Sequence, residues 1–460
     1  MSFWTLDRLA AALQSERQGA IPRGSTPLAR VHTDSRTLAP GDVFVALRGD
    51  HFDGHAFVSD VVARGASALV VSDPRSVAGH GVPACVVRDT TAALGALASF
   101  RRRVWGGTVI AVAGSNGKTS TRELIAGALG GRLSVHATRG NLNNHIGVPL
   151  TLLAIPDHAD VAVVEIGTNH PGEVATLQAI VGPDVAVVTS IGEEHLEGLG
   201  SLAGVLAEES AVFAGVPLAV APASQPEVVD AARGRAGRVI AAGLDAGDVR
   251  PTAWGLDDEA RGWFTLAEVR VSVPFVGLHN LRNALLAVAV ARACGIADED
   301  AAAGMAALRP PSMRSALETI GPFLVLNDAY NANPASAREA LATLDAIATE
   351  RPRVVVLGSM LELGPQGPDL HDDIARRALA GRARVIVGIG EFVHAFARVA
   401  PGDPRVISAT DAEAAWPLLA TRLPPDALVL LKGSRGTRLE RLVPRLQERA
   451  GVPVEPAAAH

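Results

Sequence analysis

Within seven residues, Gly114-Ser115-Asn116-Gly117-Lys118-Thr119-Ser120 brings together two glycines, one lysine and three hydroxyls. Glycines let backbone N–H groups close on phosphate oxygens, a following helix N-terminus adds partial positive charge, and the lysine adds a full one. The Thr119 hydroxyl is of the kind that reaches a magnesium ion. The string departs from the full G-x-x-x-x-G-K-[ST] pattern, because Val112 stands where the first glycine would be. Its flanks supply what so short a string lacks. Val109 to Ala113 is an apolar run of strand length without polar alternation, as in a strand covered on both faces, and Thr121 to Leu129 is rich in helix formers. Strand, glycine turn, Lys-Thr and helix together predict a cradle for a nucleoside triphosphate.

The elements that must position other polar groups follow the same rhythm. Val161 to Val164 ends at Glu165, and Val185 to Thr189 runs into a loop with Glu193, Glu194 and His195. In open α/β sheets ligands collect at the carboxyl ends of strands, so these side chains are expected near the phosphates. An ionised Glu165 directly after four apolar residues calls for a positive partner, which magnesium on ATP would supply. Asn141-Leu142-Asn143-Asn144 is an amide-rich loop suited to recognising sugar, peptide or phosphate, and equally to a turn. Asn280 and Asn283 lie three apart at the start of a long Ala/Leu/Val helix and share one face, where capping accounts for at most one of them. Further on, Phe323 to Leu326 ends in Asn327-Asp328-Ala329-Tyr330-Asn331-Ala332-Asn333-Pro334. Val354 to Leu357 ends in Gly358-Ser359-Met360-Leu361-Glu362, and Leu428 to Leu431 ends in Lys432-Gly433-Ser434-Arg435. No G-x-G-x-x-G follows a first strand, which argues against NAD.

At 460 residues the chain exceeds a single core. The expected fold is α/β in three domains. These are a small N-terminal α/β substrate domain over 1–103, a central P-loop domain with an ATPase-like parallel sheet over 104–311, and a C-terminal Rossmann-like α/β domain over 312–460. Arg101-Arg102-Arg103 with Gly106-Gly107 reads as the first linker, Pro310-Pro311 as the second, and Val452 onward as a frayed Pro/Ala-rich tail. Net charge of -6, scattered basic residues and 4% aromatic content argue against nucleic acid. Cys85 and Cys294 lack metal-ligand spacing, and early Asp7 and Arg8 do not suit a signal peptide. No apolar run reaches membrane-spanning length, so a cytoplasmic enzyme without membrane insertion is expected.

Taken in order, Thr33-Asp34-Ser35-Arg36, Gly114 to Thr119, Asn141 to Pro149, Glu165-Ile166-Gly167, His195-Leu196-Glu197, His279-Asn280, Tyr330 to Pro334 and Lys432 to Arg435 resemble the Mur ligases of bacterial cell-wall synthesis. The Tyr-Asn-Ala-Asn-Pro string and the Asn-Leu-Asn-Asn-His loop are similar to the branch that joins D-alanyl-D-alanine to UDP-N-acetylmuramoyl-tripeptide. The Asp-Asn-Pro-Arg string of the branch that adds the third peptide residue is absent. The resemblance implies ATP and Mg2+, the two substrates just named, and a monomer. It implies that Lys118 holds the β- and γ-phosphates, that Thr119 and Glu165 hold one magnesium, and that His195 helps hold a second. Gly114 to Ser120, Asn283, Asp328, Tyr330, Asn331 and Asn333 would bind the nucleotide, with Arg314 on the γ-phosphate. Ser35, Arg36, Asp53 and His55 would meet the uridine end, Asn143 and Asn144 the muramoyl-peptide, and Lys432, Ser434 and Arg435 the dipeptide. Alternatives are another amide ligase of the superfamily, such as a folylpolyglutamate synthase, or an ATP-binding partner protein without turnover.

The chain departs from the family in three places. The family commonly carries a lysine after the His-Leu-Glu segment, carbamylated to present a carboxylate to the second magnesium. That position falls here on Glu209, beside Glu208, and Glu209 is expected to supply the carboxylate directly. Met313 stands where a glycine is common, and Ser359 where an aspartate is common.

Overall fold

The computed structural model describes residues 3–49 and 51–453; Asp50 and most of the expected frayed tail, residues 454–460, lie outside the described residues. By compactness the chain divides into two units. One unit comprises Met1–Val109, His136–Ile166 and Thr176–Pro183, the other Ile110–Val135, Gly167–Ala175 and Asp184–His460.

The first unit is built on four parallel strands in sequence order, Val31–His32, Val43–Val45, Ala68–Val71 and Ala84–Val86. Alternate residues leave a strand on opposite faces. Val43, Val45 and Val70 accordingly pack with Leu94 and Leu97, whereas Phe44, Leu69 and Val71 pack with Val58 and Val61. Leu94 and Leu97 belong to the helix Thr90–Trp105, which Asp89 caps by accepting from Thr91 N and Ala92 N and which Gly106 ends in the left-handed conformation. This helix corrects the expected linker at Arg101–Arg103. Those residues form its last turns, and Arg101 is buried, donating to Ile155 O at 2.7 Å and Asp157 Oδ1 at 2.6 Å. A basic run reads as solvated from the sequence, but these arginines have carbonyl and carboxylate acceptors waiting in the fold.

The second unit contains four parallel strands in the order Arg238–Ala242, Leu218–Pro222, Val185–Val188, Thr108–Ala113. Helix Lys118–Gly130 follows the last of these and packs against Leu278–Ala293 and Asp298–Ala306. Its C-terminal part holds a six-stranded sheet ordered Ala316–Ile320, Phe323–Asp328, Leu428–Lys432, Arg353–Leu357, Ala383–Ile389, Val406–Ala409, antiparallel only in the first pair. Helices cover both faces: Ile374, Phe392 and Phe396 on one, Leu419, Leu442 and Leu446 on the other. Strand order reverses around Leu428–Lys432, so the ends of Phe323–Asp328, Leu428–Lys432 and Arg353–Leu357 form a crevice of the kind that binds ligands. Among the described residues no helix is long and apolar enough to cross a membrane.

Helices Lys118–Gly130 and Asp298–Ala306 approach so closely that a Cβ on Gly304 would lie 2.0 Å from Gly127 O. Gly304→Val is therefore expected to cost about 1–3 kcal/mol by forcing the helices apart. Gly130→Ala, where a Cβ meets nothing within 4 Å, is expected to be neutral or stabilising by up to about 1 kcal/mol. Denaturant melts of the two variants check both values.

Candidate active site

The phosphate loop takes its shape from two glycines and from the loop after Val185–Val188. Gly114 has φ 118° and Gly117 φ 83°. A Cβ on Gly114 would meet Thr189 Oγ1 at 2.5 Å, and one on Gly117 would meet the Asn283 amide at 2.7 Å, so both positions exclude side chains on steric as well as conformational grounds. Ser115 N donates to Ser190 O at 2.7 Å, Gly192 N to Ser115 Oγ at 2.9 Å, and Thr189 Oγ1 to Asn116 O at 2.6 Å. Lys118 opens the helix, and its ammonium folds back to donate to Gly114 O. Asn283 is buried, and its Nδ2 donates to Asn280 Oδ1 at 3.2 Å, so the expected amide pair packs against Gly117 rather than capping the helix. Thr119 and Ser120 are buried in the same turn.

Two carboxylates of one helix, Leu202–Glu209, have separate tasks. Glu208 braces a neighbouring loop, accepting from Gly172 N at 2.7 Å, Val174 N at 2.8 Å and Thr168 Oγ1 at 3.1 Å. Glu209 is fully buried; its Oε2 accepts from Gly114 N at 2.7 Å and its Oε1 lies 4.0 Å from Lys118 Nζ. Neither Glu209 Oε1 nor the buried Glu194 Oε1 has a hydrogen-bond donor. Burial lifts the Glu209 carboxyl above the ordinary glutamate range, with Lys118 opposing and Glu194 reinforcing the rise. His195 adopts the left-handed conformation, with Nε2 3.8 Å from Glu194 Oε2 and Nδ1 bonded to Glu362. Among the described residues no three His, Cys, Asp or Glu side chains form a ready-made metal cage. The two donorless carboxylate oxygens beside a phosphate loop nevertheless suit a divalent cation that completes its shell with phosphate oxygens.

The crevice of the C-terminal sheet supplies the opposite wall. Asn333 caps helix Pro334–Ala346 in a capping box with Ser336, and its Nδ2 donates to Asn116 Oδ1 at 2.9 Å. Arg338 binds Glu193 at 3.1 Å and Asp373 at 3.1 Å. The Arg314 guanidinium lies 3.9 Å above the Tyr330 ring. Lys432 Nζ donates to Asp328 Oδ2 at 2.6 Å and Asn331 O at 2.9 Å, and Ser434 Oγ donates to Ala332 O at 3.3 Å. Arg435 Nη1 contacts Met313 Sδ at 3.2 Å. The three residues expected to meet the dipeptide each contact the 313–332 region. Glu362 and Arg338 were not among the expected site residues, since their partners lie 167 and 145 positions away and leave no local signal.

In the first unit, Glu165 is buried at the end of Val161–Glu165 and accepts from Asn143 Nδ2 at 2.9 Å. Asn144 Oδ1 accepts from Ile146 N at 3.1 Å and Gly147 N at 2.9 Å, closing a turn just before helix Gly147–Leu153. His55 has both ring nitrogens engaged: Nδ1 with Asp53 Oδ1 at 2.6 Å, Nε2 accepting from Ser72 N at 2.9 Å. Although burial opposes it, hydrogen bonds from His55 and Arg48 hold the Asp53 carboxyl down to about 2. Arg36 is exposed beside half-buried Ser35 and forks onto Asp34, whose carboxyl it holds well below the usual range.

A carboxyl lifted by burial keeps in the folded state a proton that the unfolded chain releases near pH 4.5. Stability from this group is therefore lost as pH rises above that value. Glu209→Gln, which retains an acceptor for Gly114 N, is expected to gain stability relative to the parent between pH 5 and pH 8 in nucleotide-free melts. An unchanged pH profile would contradict the burial account.

Comparison with known proteins follows the same order along the chain. Residues 28–102 match the Mur ligase family catalytic domain, 112–291 the Mur ligase middle domain, and 314–435 the Mur ligase glutamate ligase domain. UDP-N-acetylmuramoyl-tripeptide–D-alanyl-D-alanine ligase of Escherichia coli (strain K12) is 35% identical over 462 residues, covering 96% of this chain and 98% of that protein. The crystal structure of MurF from Acinetobacter baumannii matches with a TM-score of 0.87 at 34% identity, over 97% of this chain and 99% of that one. The MurF ligase from Thermotoga maritima in complex with ADP matches with a TM-score of 0.82 at 25% identity, over 92% and 98% of the two chains. With such identity sustained over nearly its whole length, the chain belongs to the Mur ligase family.

Proposed function

We infer that this protein is an ATP-dependent amide ligase that joins D-alanyl-D-alanine to UDP-N-acetylmuramoyl-tripeptide, giving the pentapeptide peptidoglycan precursor, ADP and phosphate. The observation that carries the reading is the phosphate loop, in which Lys118 lies at a helix N-terminus above buried Glu209 and within a chain that matches ligases of that name over nearly its whole length. An ADP complex of a structural relative supports nucleotide use.

In this reading the tripeptide carboxylate attacks the γ-phosphorus of ATP and ADP leaves. The dipeptide amine then attacks the acyl phosphate, and the tetrahedral intermediate expels phosphate to leave an amide. A carboxylate is repelled by a triphosphate, so catalysis is positioning and charge neutralisation. Lys118 leaves the Gly114 carbonyl for the β- and γ-phosphates, while the loop N–H groups and the helix terminus hold the remaining oxygens. Arg314 presents the edge of its guanidinium to the γ-phosphate while its face rests on Tyr330. Thr119, His195 and Glu209 would hold magnesium, which when bound supplies positive charge between the reacting anions. His195 would do so through Nε2, which faces Glu194, while Nδ1 stays with Glu362. Asn283, Asp328, Asn331 and Asn333 would border the nucleotide. Ser35, Arg36, Asp53 and His55 would serve the uridine end from the first unit, although His55 and Asp53 are already committed to one another. A cytoplasmic location and a monomeric state belong to the same reading, and both cysteines are free thiols.

Phosphate release with UDP-N-acetylmuramoyl-tripeptide should require D-alanyl-D-alanine and should fall on the order of 10³-fold in Lys118→Met. Amide synthesis that survived this substitution would overturn the reading. Because glutamate cannot be carbamylated, the rate should be the same in bicarbonate-free and bicarbonate-supplemented buffer.

A further inference from the structure

Of 42 lysines and arginines in the chain, two are lysines, Lys118 and Lys432. Arginine serves at every other such position, and at these two sites a compact ammonium stands in place of a planar fork. Lys118 has its reason in the phosphate loop. The surroundings of Lys432 supply the other.

Lys432 ends the strand Leu428–Lys432, in register between Asp328 and Leu357, and its side chain is 3% exposed. Its ammonium meets one carboxylate oxygen, Asp328 Oδ2, and one carbonyl, Asn331 O, which lie on separate residues of one loop. The second oxygen of Asp328 accepts from Ser315 N at 2.9 Å. Ser315 at φ 50° and Met313 at φ 59° bracket Arg314 in left-handed backbone, and Tyr330 N donates to Met313 O at 3.1 Å. Through Asp328, Lys432 therefore anchors both the strained turn that carries Arg314 and the loop that carries Tyr330. The stacked pair depends on both anchors for its 3.9 Å spacing. Strained backbone persists only where its surroundings over-determine it, and here the buried ammonium does so.

We propose that Lys432 is a positioning residue for the nucleotide, setting the Arg314–Tyr330 pair through Asp328 and Asn331, and is not a ligand of the dipeptide. The proposal rests on the ligase reading above for what Arg314 and Tyr330 contact. A dipeptide ligand would have to be pulled from two short polar contacts in a buried slot, whereas a strut uses them as they stand.

The test uses the full-length enzyme with Lys432→Met, Lys432→Arg and Asp328→Asn. ADP affinity is measured by calorimetry, and KM for ATP and for D-alanyl-D-alanine by phosphate release. Loss of a charge-assisted buried hydrogen bond should raise the ADP Kd and the ATP KM by about tenfold or more in Lys432→Met, with the dipeptide KM within about twofold of the parent. Lys432→Arg should not rescue, and Lys432→Met combined with Asp328→Asn should be no worse than Lys432→Met alone. A raised dipeptide KM with unchanged ADP affinity, or full rescue by arginine, would overturn the proposal. If Lys432→Met does not fold, Asp328→Asn, which keeps the shape of the slot, must show the same nucleotide-selective loss in weaker form, and unchanged ADP affinity there also overturns it. A parent enzyme that bound ADP but made no amide would count against the ligase reading instead, and the ADP affinities would still decide the role of Lys432.

Discussion

The contact between the Glu209 carboxylate and the Gly114 backbone nitrogen is the constraint on which the second unit is organised. An ionised carboxylate taken fully out of water costs several kcal/mol, by general reckoning of order 5, unless it is paired and hydrogen-bonded. Here one backbone N–H at 2.7 Å and one ammonium at 4.0 Å, both belonging to the phosphate loop, offset that cost in part, and the carboxyl stays lifted above the ordinary glutamate range. The loop is thereby pinned from below at its first glycine and at its lysine. From the side it is fastened by Thr189, Ser190 and Gly192. Backbone N–H groups that are held this way need no rearrangement to receive an anion, which is what makes preorganised donors effective in a site.

The same loop receives the C-terminal sheet. Asn333 reaches Asn116, Arg338 reaches Glu193, and Glu362 reaches His195, so the capped helix Pro334–Ala346 and the loop after Arg353–Leu357 both meet the loop region within one unit. These contacts differ in cost of exchange. Glu362 is half-exposed, and its pairing with His195 is open to water and salt, whereas the Asn333 amide is buried within a helix cap. Breaking the first is therefore cheaper than breaking the second. The Asn333 contact suits a fixed joint between sheet and loop, and the Glu362 contact an adjustable one.

What was legible in the sequence was what depends on near neighbours. Gly114 to Thr119 reads as a phosphate cradle because loop, helix start and preceding strand are contiguous, and the apolar runs ending at Leu326, Leu357 and Leu431 read as strands of one sheet for the same reason. Arg101 was misread because its acceptors, Ile155 O and Asp157, lie more than fifty positions away and a basic run alone signals solvent. Asn144 was read as a turn residue or a ligand contact, and its turn shows in the backbone amides that its side-chain oxygen accepts from. Lys432 and Asp328 are 104 positions apart, and their pairing follows from strand order, which spacing along the chain does not encode. The grouping of segments 136–166 and 176–183 with the beginning of the chain likewise rests on contacts between distant positions.

Backbone strain links these observations. Seven non-glycine residues have left-handed φ among those described, and four of them, His195, Met313, Ser315 and Glu362, lie in the candidate site. Each costs about 1 kcal/mol or more relative to a glycine there. At Met313, φ 59° is a conformation that glycine adopts without cost. Methionine is tolerated because its side chain is buried in the core beneath the sheet and its sulfur meets Arg435. Conformational ease has been exchanged for packing and for a tie between the turn and the strand end at Lys432–Arg435. The consequence is a stiffer mount for Arg314 than a glycine hinge would provide. In a reaction that depends on holding anions in line, that stiffness works in the same direction as the pinned phosphate loop.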